Sequence, residues 1–144
     1  MELSNKTEYA ILSLLALAKC HADGESLQIR EIAARQNIPN RYLEELLATL
    51  RRGGLIKSIR GVKGGYVLAR EPQKITVLEA LLCIEGLDAE SVKSSNIKTV
   101  ETDVIRDVWQ EVRQAAYDVL QKYTLQDLCE RRISKRQIEL MYYI

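Results

Sequence analysis

Histidine, cysteine and long apolar runs are all scarce in this sequence of 144 residues. The one histidine, His21, sits in a polar stretch and reads as a loop residue rather than a ligand. A lone imidazole with no nucleophile or second base beside it leaves no catalytic constellation, so enzymatic activity is not expected. The three cysteines, Cys20, Cys83 and Cys129, are odd in number and far apart, so their spacing suggests no disulfide framework. No run approaches the ~20 apolar residues that span a bilayer. The longest, "YAILSLLALA" at 9–18, lacks the basic segment and cleavage site, in order, of a signal peptide. A cytoplasmic protein without a membrane partner is expected. Internal repeats are also missing, which excludes a solenoid.

What is present is a chain 47% apolar and 28% charged, ordinary for a globular protein. Its length fits one domain, or a small domain with an appendage. The formal net charge of +1 hides an asymmetry. Residues 1–75 hold 12 Lys+Arg against 8 Asp+Glu, and residues 76–144 hold 9 against 12. Within 51–74 there are seven cations and one anion. A basic patch on a near-neutral chain is either a solvated face or a local site for an anionic partner.

Residues 5–19 are expected to form a buried helix, with Asn5 as cap and Glu8 three residues on. A loop (21–26), a short strand (Leu27–Ile29) and a short helix (Arg30–Gln36) follow. "NIPN" at 37–40 is a tight turn: Asn37 tolerates a left-handed conformation, Pro39 stops one helix and Asn40 can cap the next. Leu43, Leu46, Leu47 and Leu50 then fall at i, i+3, i+4, i+7, one apolar stripe that leaves Arg41, Tyr42, Glu45 and Thr49 facing outward. Gly53-Gly54 ends that helix. Strands at 55–60 and 66–70, joined by Gly61–Gly65, make a hairpin. Thr76 and Glu79 form a capping box before an apolar helix closed by Gly86. Residues 87–100 read as a polar linker. A long helix at about 103–123 places Ile105, Trp109, Val112, Ala116, Val119 and Tyr123 at alternating steps of 4 and 3, a heptad seam that suits a dimer or a buried helix. One short helix should open at Thr124–Asp127 and another should cover Ser134–Tyr143.

The expected fold is mainly α with a small β-hairpin wing, the order of a winged helix-turn-helix: a DNA-binding domain at 1–75 and a helical dimerisation region at 76–144. In that motif the second helix of the pair enters the major groove with its N-terminal residues at base edges, which makes the outward Arg41, Tyr42, Glu45 and Thr49 candidate DNA contacts. Arg60 and Lys63 on the Gly-rich tip would supply charge for phosphates or a narrow minor groove. "GVKGG" lacks Walker spacing and no helix follows it, so a nucleotide cradle is disfavoured. A surface hairpin without a ligand stays open on the loop alone.

The segments "KTEYAILSLLALA", "IREIAARQNIPNRYLEELLATLRRGGLIKSIRGVKGGYVLAR", "ITVLEALLCIEG" and "TLQDL" resemble the Rrf-type family of bacterial winged-helix regulators. That family includes an iron–sulfur cluster regulator, a nitric-oxide-sensing repressor and a cysteine-metabolism repressor. The resemblance implies a homodimer held by the long C-terminal helix and a two-fold symmetric double-stranded DNA operator. It implies DNA contacts from Gln28, Arg30, Asn40, Arg41, Tyr42, Glu45, Arg60, Lys63 and Gly64, with the positions of Lys6, Thr7 and Tyr9 meeting the backbone. Cluster-binding relatives carry three cysteines in the loop that here reads "LDAESVKSSNIKT", which has none. A variant ligand set uses a glutamate and a histidine one turn apart on the first helix; here Glu8 is followed by Leu12. No cofactor is therefore expected. Cys83, Cys129 and Glu8 are the residues to consider if an iron–sulfur cluster is present, and small buried hydrophobes are the alternative for the two cysteines. The expected function is a sequence-specific transcriptional regulator, acting as a dimeric repressor. The alternatives are a winged-helix protein adaptor coupled to a metabolic enzyme and an iron–sulfur-sensing member of the family.

Overall fold

The computed structural model describes residues 3–86 and 99–142. Helix α1 covers Asn5–His21. Its cap is Ser4 rather than Asn5: Ser4 is extended, and its hydroxyl accepts from the Thr7 amide at 3.2 Å. Both residues are good caps, and a one-residue shift separates them. Helix α2 covers Ile29–Gln36 and ends at Asn37, which is left-handed at φ 57°. Leu27 does not start a strand of its own. It makes a single antiparallel bridge to Tyr66, with bonds of 3.0 and 2.7 Å, and α2 begins two residues later.

Helix α3 covers Asn40–Arg52. Pro39 is its cap residue, so Asn40 is the first helical residue rather than the cap, and no side chain caps this end. The stripe Leu43, Leu46, Leu47 and Leu50 is 0–2% exposed. Strands β1 (Ile56–Ile59) and β2 (Gly65–Leu68) pair antiparallel, Ile56 opposite Leu68 and Ile59 opposite Gly65. A 3-10 turn at Pro72–Lys74 leads to α4, Val77–Glu85. The Thr76–Glu79 capping box closes with bonds of 2.9 and 3.1 Å.

The linker expected at 87–100 lies outside the described residues as far as 98. Thr99 and Val100 already belong to the next helix, α5 (Val100–Gln121), where the Thr99 hydroxyl accepts from the Thr102 amide at 3.1 Å. Tyr123 falls beyond α5, so it does not continue the seam. Its ring carries the Arg131 guanidinium at 4.6 Å, and its carbonyl accepts from the Val77 amide at 2.8 Å. The C-terminal segment is one helix, α6 (Leu125–Tyr142), rather than two. Thr124 and Asp127 start it with a reciprocal cap, and neither glycine nor proline interrupts it. Ser134 lies exposed within it, where a hydroxyl is tolerated.

The core gathers around α1, which packs against α2, α3, α4, α6 and β2. Leu14, Leu43, Leu47, Leu50, Ile75 and Leu125 are each 0% exposed and lie in one cluster. Burial of each such side chain contributes about 1.5–3 kcal/mol. Helix α5 differs from every other long helix in having no buried residue. No described helix is long and apolar enough to cross a membrane.

Candidate nucleic-acid interface

The expected contacts come from three places: the start of α1, the start of α3 and the hairpin tip. The starts of α1 and α3 flank one hollow of about 410 Å³, lined by Asn5, Lys6, Tyr9, Tyr42, Glu45 and Leu46. Lys6, Asn40, Arg41, Tyr42 and Glu45 are exposed, and Tyr9 is half-buried. The leucine stripe produces this arrangement: burying one face of α3 turns Arg41, Tyr42 and Glu45 out. Arg41 lies over the Tyr42 ring at 4.8 Å and donates to its hydroxyl at 3.0 Å, so the two form one stacked unit. With Pro39 unable to cap, the first amides of α3 have no side-chain acceptor. A helix start in that state attracts phosphate.

Two of the expected contacts are already engaged within the fold. Thr7 is 0% exposed, and its hydroxyl donates to Glu85 at 2.8 Å, which excludes it from meeting a backbone in this arrangement. Thr49 is half-buried. Its hydroxyl donates to the Glu45 carbonyl at 3.0 Å and accepts from Arg52 at 3.3 Å. A helical threonine that bonds back by four residues is satisfied internally.

At the wing, Arg60 and Lys63 are exposed and Val62, between them, is fully so. The tip is held rather than loose. Ser26 donates to the Lys63 carbonyl at 2.7 Å, and the Gly64 amide bonds Gly61 at 2.9 Å. Glycine is required at 64 and 65 by close approach. A Cβ on Gly64 would lie 2.5 Å from the Ile59 carbonyl oxygen, and one on Gly65 would lie 2.5 Å from that of Leu27. The tip and the start of α2 enclose a second hollow of about 460 Å³ that includes Gln28, Val62, Lys63 and Gly64. Arg30 is exposed in the first turn of α2. Ser26 and Val62 were not foreseen; a seryl hydroxyl in a loop carries no sequence signal of a partner 37 residues away.

Ser4 and Glu85 were also missed. Glu85, the last residue of α4, accepts from Ser4 at 2.9 Å as well as from Thr7. This carboxylate fixes the start of α1 to the end of α4.

The cysteines are dispersed. Cys20 is buried under Arg35, whose guanidinium donates to its sulfur at 3.1 Å. Cys83 donates to the Thr49 carbonyl at 3.5 Å and packs on Gly53, where a Cβ would collide with its sulfur. Burial pushes the thiol pKa of Cys83 up, partly offset by Arg52. Burial does the same at Cys129, with Arg132 opposing and Glu130 adding.

The family model described as "Iron-dependent Transcriptional regulator", Rrf2, matches residues 3–131. Among the described residues no three His, Cys, Asp or Glu side chains group together, so Glu8, Cys83 and Cys129 form no site. In amino-acid sequence the chain is 34% identical to the HTH-type transcriptional regulator CymR of Bacillus subtilis over 142 residues, 99% of each chain. In structure it matches IscR of T. potens at TM-score 0.76 and 32% identity, covering 92% of this chain and 88% of that one. It matches CymR, the global cysteine regulator of B. subtilis, at TM-score 0.73 and 34% identity, covering 91% and 98%. With a helix pair, a wing and these relatives along nearly its whole length, the chain belongs to the Rrf2 family and is a DNA-binding transcriptional regulator of winged helix-turn-helix fold.

Proposed function

We propose that this regulator is a cytoplasmic homodimer without enzymatic activity that represses transcription from a two-fold symmetric operator. Residues 1–75 bind DNA and residues 76–144 assemble the dimer. The observation that carries the assembly is the exposed face of α5. Ile105, Trp109, Val112 and Val119 are 62, 65, 46 and 51% exposed, and Val104 and Val108 widen the patch. Ala116 is half-buried. An apolar stripe at heptad spacing, left open by its own domain, is what a second copy of the same helix would cover.

In this reading Arg41, Tyr42 and Glu45 meet base edges, and the open amides at Asn40 and Arg41 donate to a phosphate. Lys6, Tyr9, Gln28 and Arg30 flank the backbone. Lys63 and the Gly64 backbone meet phosphates at the wing, and Arg60 reaches phosphate or the minor groove.

The test is a titration of Arg41→Ala and Lys63→Ala against an operator recovered by selection from random duplexes, and against scrambled duplexes, at several salt concentrations. Arg41→Ala should cost roughly 1–3 kcal/mol on the operator and relax the preference at one position of each half-site. Lys63→Ala should weaken both duplexes about equally and lower the salt slope by nearly two, one per subunit. Loss of discrimination in Lys63→Ala with only general loss in Arg41→Ala would reverse the roles of helix and wing.

A further inference from the structure

Helices α1, α2 and α6 enclose a recess of about 400 Å³ that the DNA-binding reading does not use. Four cations from three helices line it: Lys19 of α1, Arg35 of α2, and Arg132 and Arg136 of α6. Like charges brought this close repel, so their convergence needs a cause. A helix C-terminus attracts cations, and that accounts for Lys19 and Arg35, which sit in the last turns of α1 and α2. It does not account for Arg132 and Arg136, which lie in the interior of α6. Internal neutralisation does not account for them either. Asp23 and Glu25 also line the recess, yet none of the four cations is in an ion pair among the described residues. The recess therefore keeps a formal surplus of two positive charges, four cations against two acids.

The floor strengthens the attraction. Ala16 and Cys20 are 1% and 4% exposed, so one wall is neutral and poorly hydrated. The Cys20 sulfur also holds the Arg35 guanidinium at 3.1 Å, which fixes one fork before any ligand arrives. Arginines present paired N–H donors that match planar or tetrahedral oxyanions. The volume lies within the range of small-ligand sites, about 300–1,000 Å³.

We propose that this recess, which shares Glu25 with the wing hollow but none of the proposed DNA contacts, is a binding site for a small polyvalent oxyanion, a phosphoryl or polycarboxylate group. Arg132 and Arg136 clamp the anion from α6, and Arg35 and Lys19 complete the cradle.

The experiment needs no DNA and so stands apart from the operator reading. Thermal unfolding of the full chain is followed with pyrophosphate and with citrate, against sodium chloride at equal ionic strength. At ten times the half-saturating concentration, the bound anion should raise Tm by roughly 3–6 °C. Arg132→Gln with Arg136→Gln replaces side chains at the recess margin and should leave the fold intact. This double variant should weaken binding at least tenfold. A shift that chloride reproduces, or one that survives in the double variant, overturns the site. A second arm measures the salt slope of operator binding. The double variant should leave it unchanged, whereas a fall of about one unit per arginine removed would assign these side chains to DNA phosphates and also overturn the proposal.

Discussion

Replacing Glu85 tests whether the start of α1 is held in place by one carboxylate. Glu85 accepts from Ser4 at 2.9 Å and from Thr7 at 2.8 Å, and Ser4 also bonds Thr7 through hydroxyls 3.0 Å apart. A hydrogen bond to a charged group contributes about 1.5–3 kcal/mol when sheltered and less when wet. Ser4 is exposed, so its share is small. Thr7 is 0% exposed, so its hydroxyl would lose its charged acceptor and keep only the Ser4 hydroxyl 3.0 Å away, at a cost of about 1–3 kcal/mol. Glu85→Ala should therefore lower stability by about 2–3 kcal/mol. Glu85→Gln keeps an acceptor oxygen but loses the charge and should cost about half as much. Thr7→Val removes the hydroxyl with little change of shape. The double variant with Glu85→Ala should then be less destabilised than the two single costs summed, with a coupling of about 1–2 kcal/mol in a denaturant-melt cycle. On the proposed interface, Glu85→Ala should also weaken operator binding without changing the salt slope, because Lys6 keeps its charge while its helix loses its fixed position. If both Glu85 variants unfold within about 0.5 kcal/mol of the parent, the clamp is an ordinary surface contact and the reasoning fails.

Two further outcomes follow from the same geometry. Trp109→Glu puts a charge into an exposed seam twice per dimer; with a buried tryptophan anchor costing about 2 kcal/mol or more per site, dissociation should rise by about a thousandfold or more, seen as monomers by light scattering with an unchanged circular dichroism spectrum. An unaltered protein that is already monomeric at micromolar concentration would contradict it. The raised thiol of Cys83 should alkylate slowly at neutral pH. Because its folded pKa exceeds the unfolded one, its contribution is full below the ordinary thiol pKa and is lost as pH rises through the folded value. The alkaline fall in stability should accordingly be smaller in Cys83→Ala than in the parent.

Local signals in the amino-acid sequence were readable where one residue's role depends on its near neighbours. The leucines of α3 repeat at helical spacing, Thr76 and Glu79 are three apart, and the three glycines of the wing fall within 61–65. Each of these appears in the structure as expected. Errors arose where two local solutions were nearly equal. Ser4 and Asn5 cap equally well, and a hydroxyl at Ser134 is compatible with a helix start or with an exposed helix interior. The Glu85 clamp spans 78 and 81 residues and leaves no periodicity, so only the packing of α4 on α1 reveals it. The recess behind α1 is of the same kind, since residues 19, 35, 132 and 136 become neighbours only after folding.

The two halves of the chain use their apolar residues differently, and that contrast connects fold to function. The N-terminal helices bury theirs, so the start of α3 and the tied wing tip stand on a rigid base, which a reader of base edges needs. Helix α5 buries none, although it carries valines, an isoleucine and a tryptophan along one side. Intramolecular packing on α4 uses the adjoining side, where Arg106, Arg113, Tyr117 and Leu120 are half-buried. A helix of 22 residues held at one side only would present a continuous apolar ridge to water. Pairing that ridge with its symmetry mate removes the ridge and fixes two reading heads at one separation. Half-sites on DNA must match that separation in whole turns of about 34–36 Å. Under this reading the seam does more than hold two copies together: it selects which operators both heads can reach at once. Insertion of five base pairs between half-sites, half a turn, should then abolish dimer-level affinity, and insertion of ten should not restore it, because heads held at one separation cannot span a further turn of about 34 Å. Equal binding to all three spacings would separate assembly from recognition.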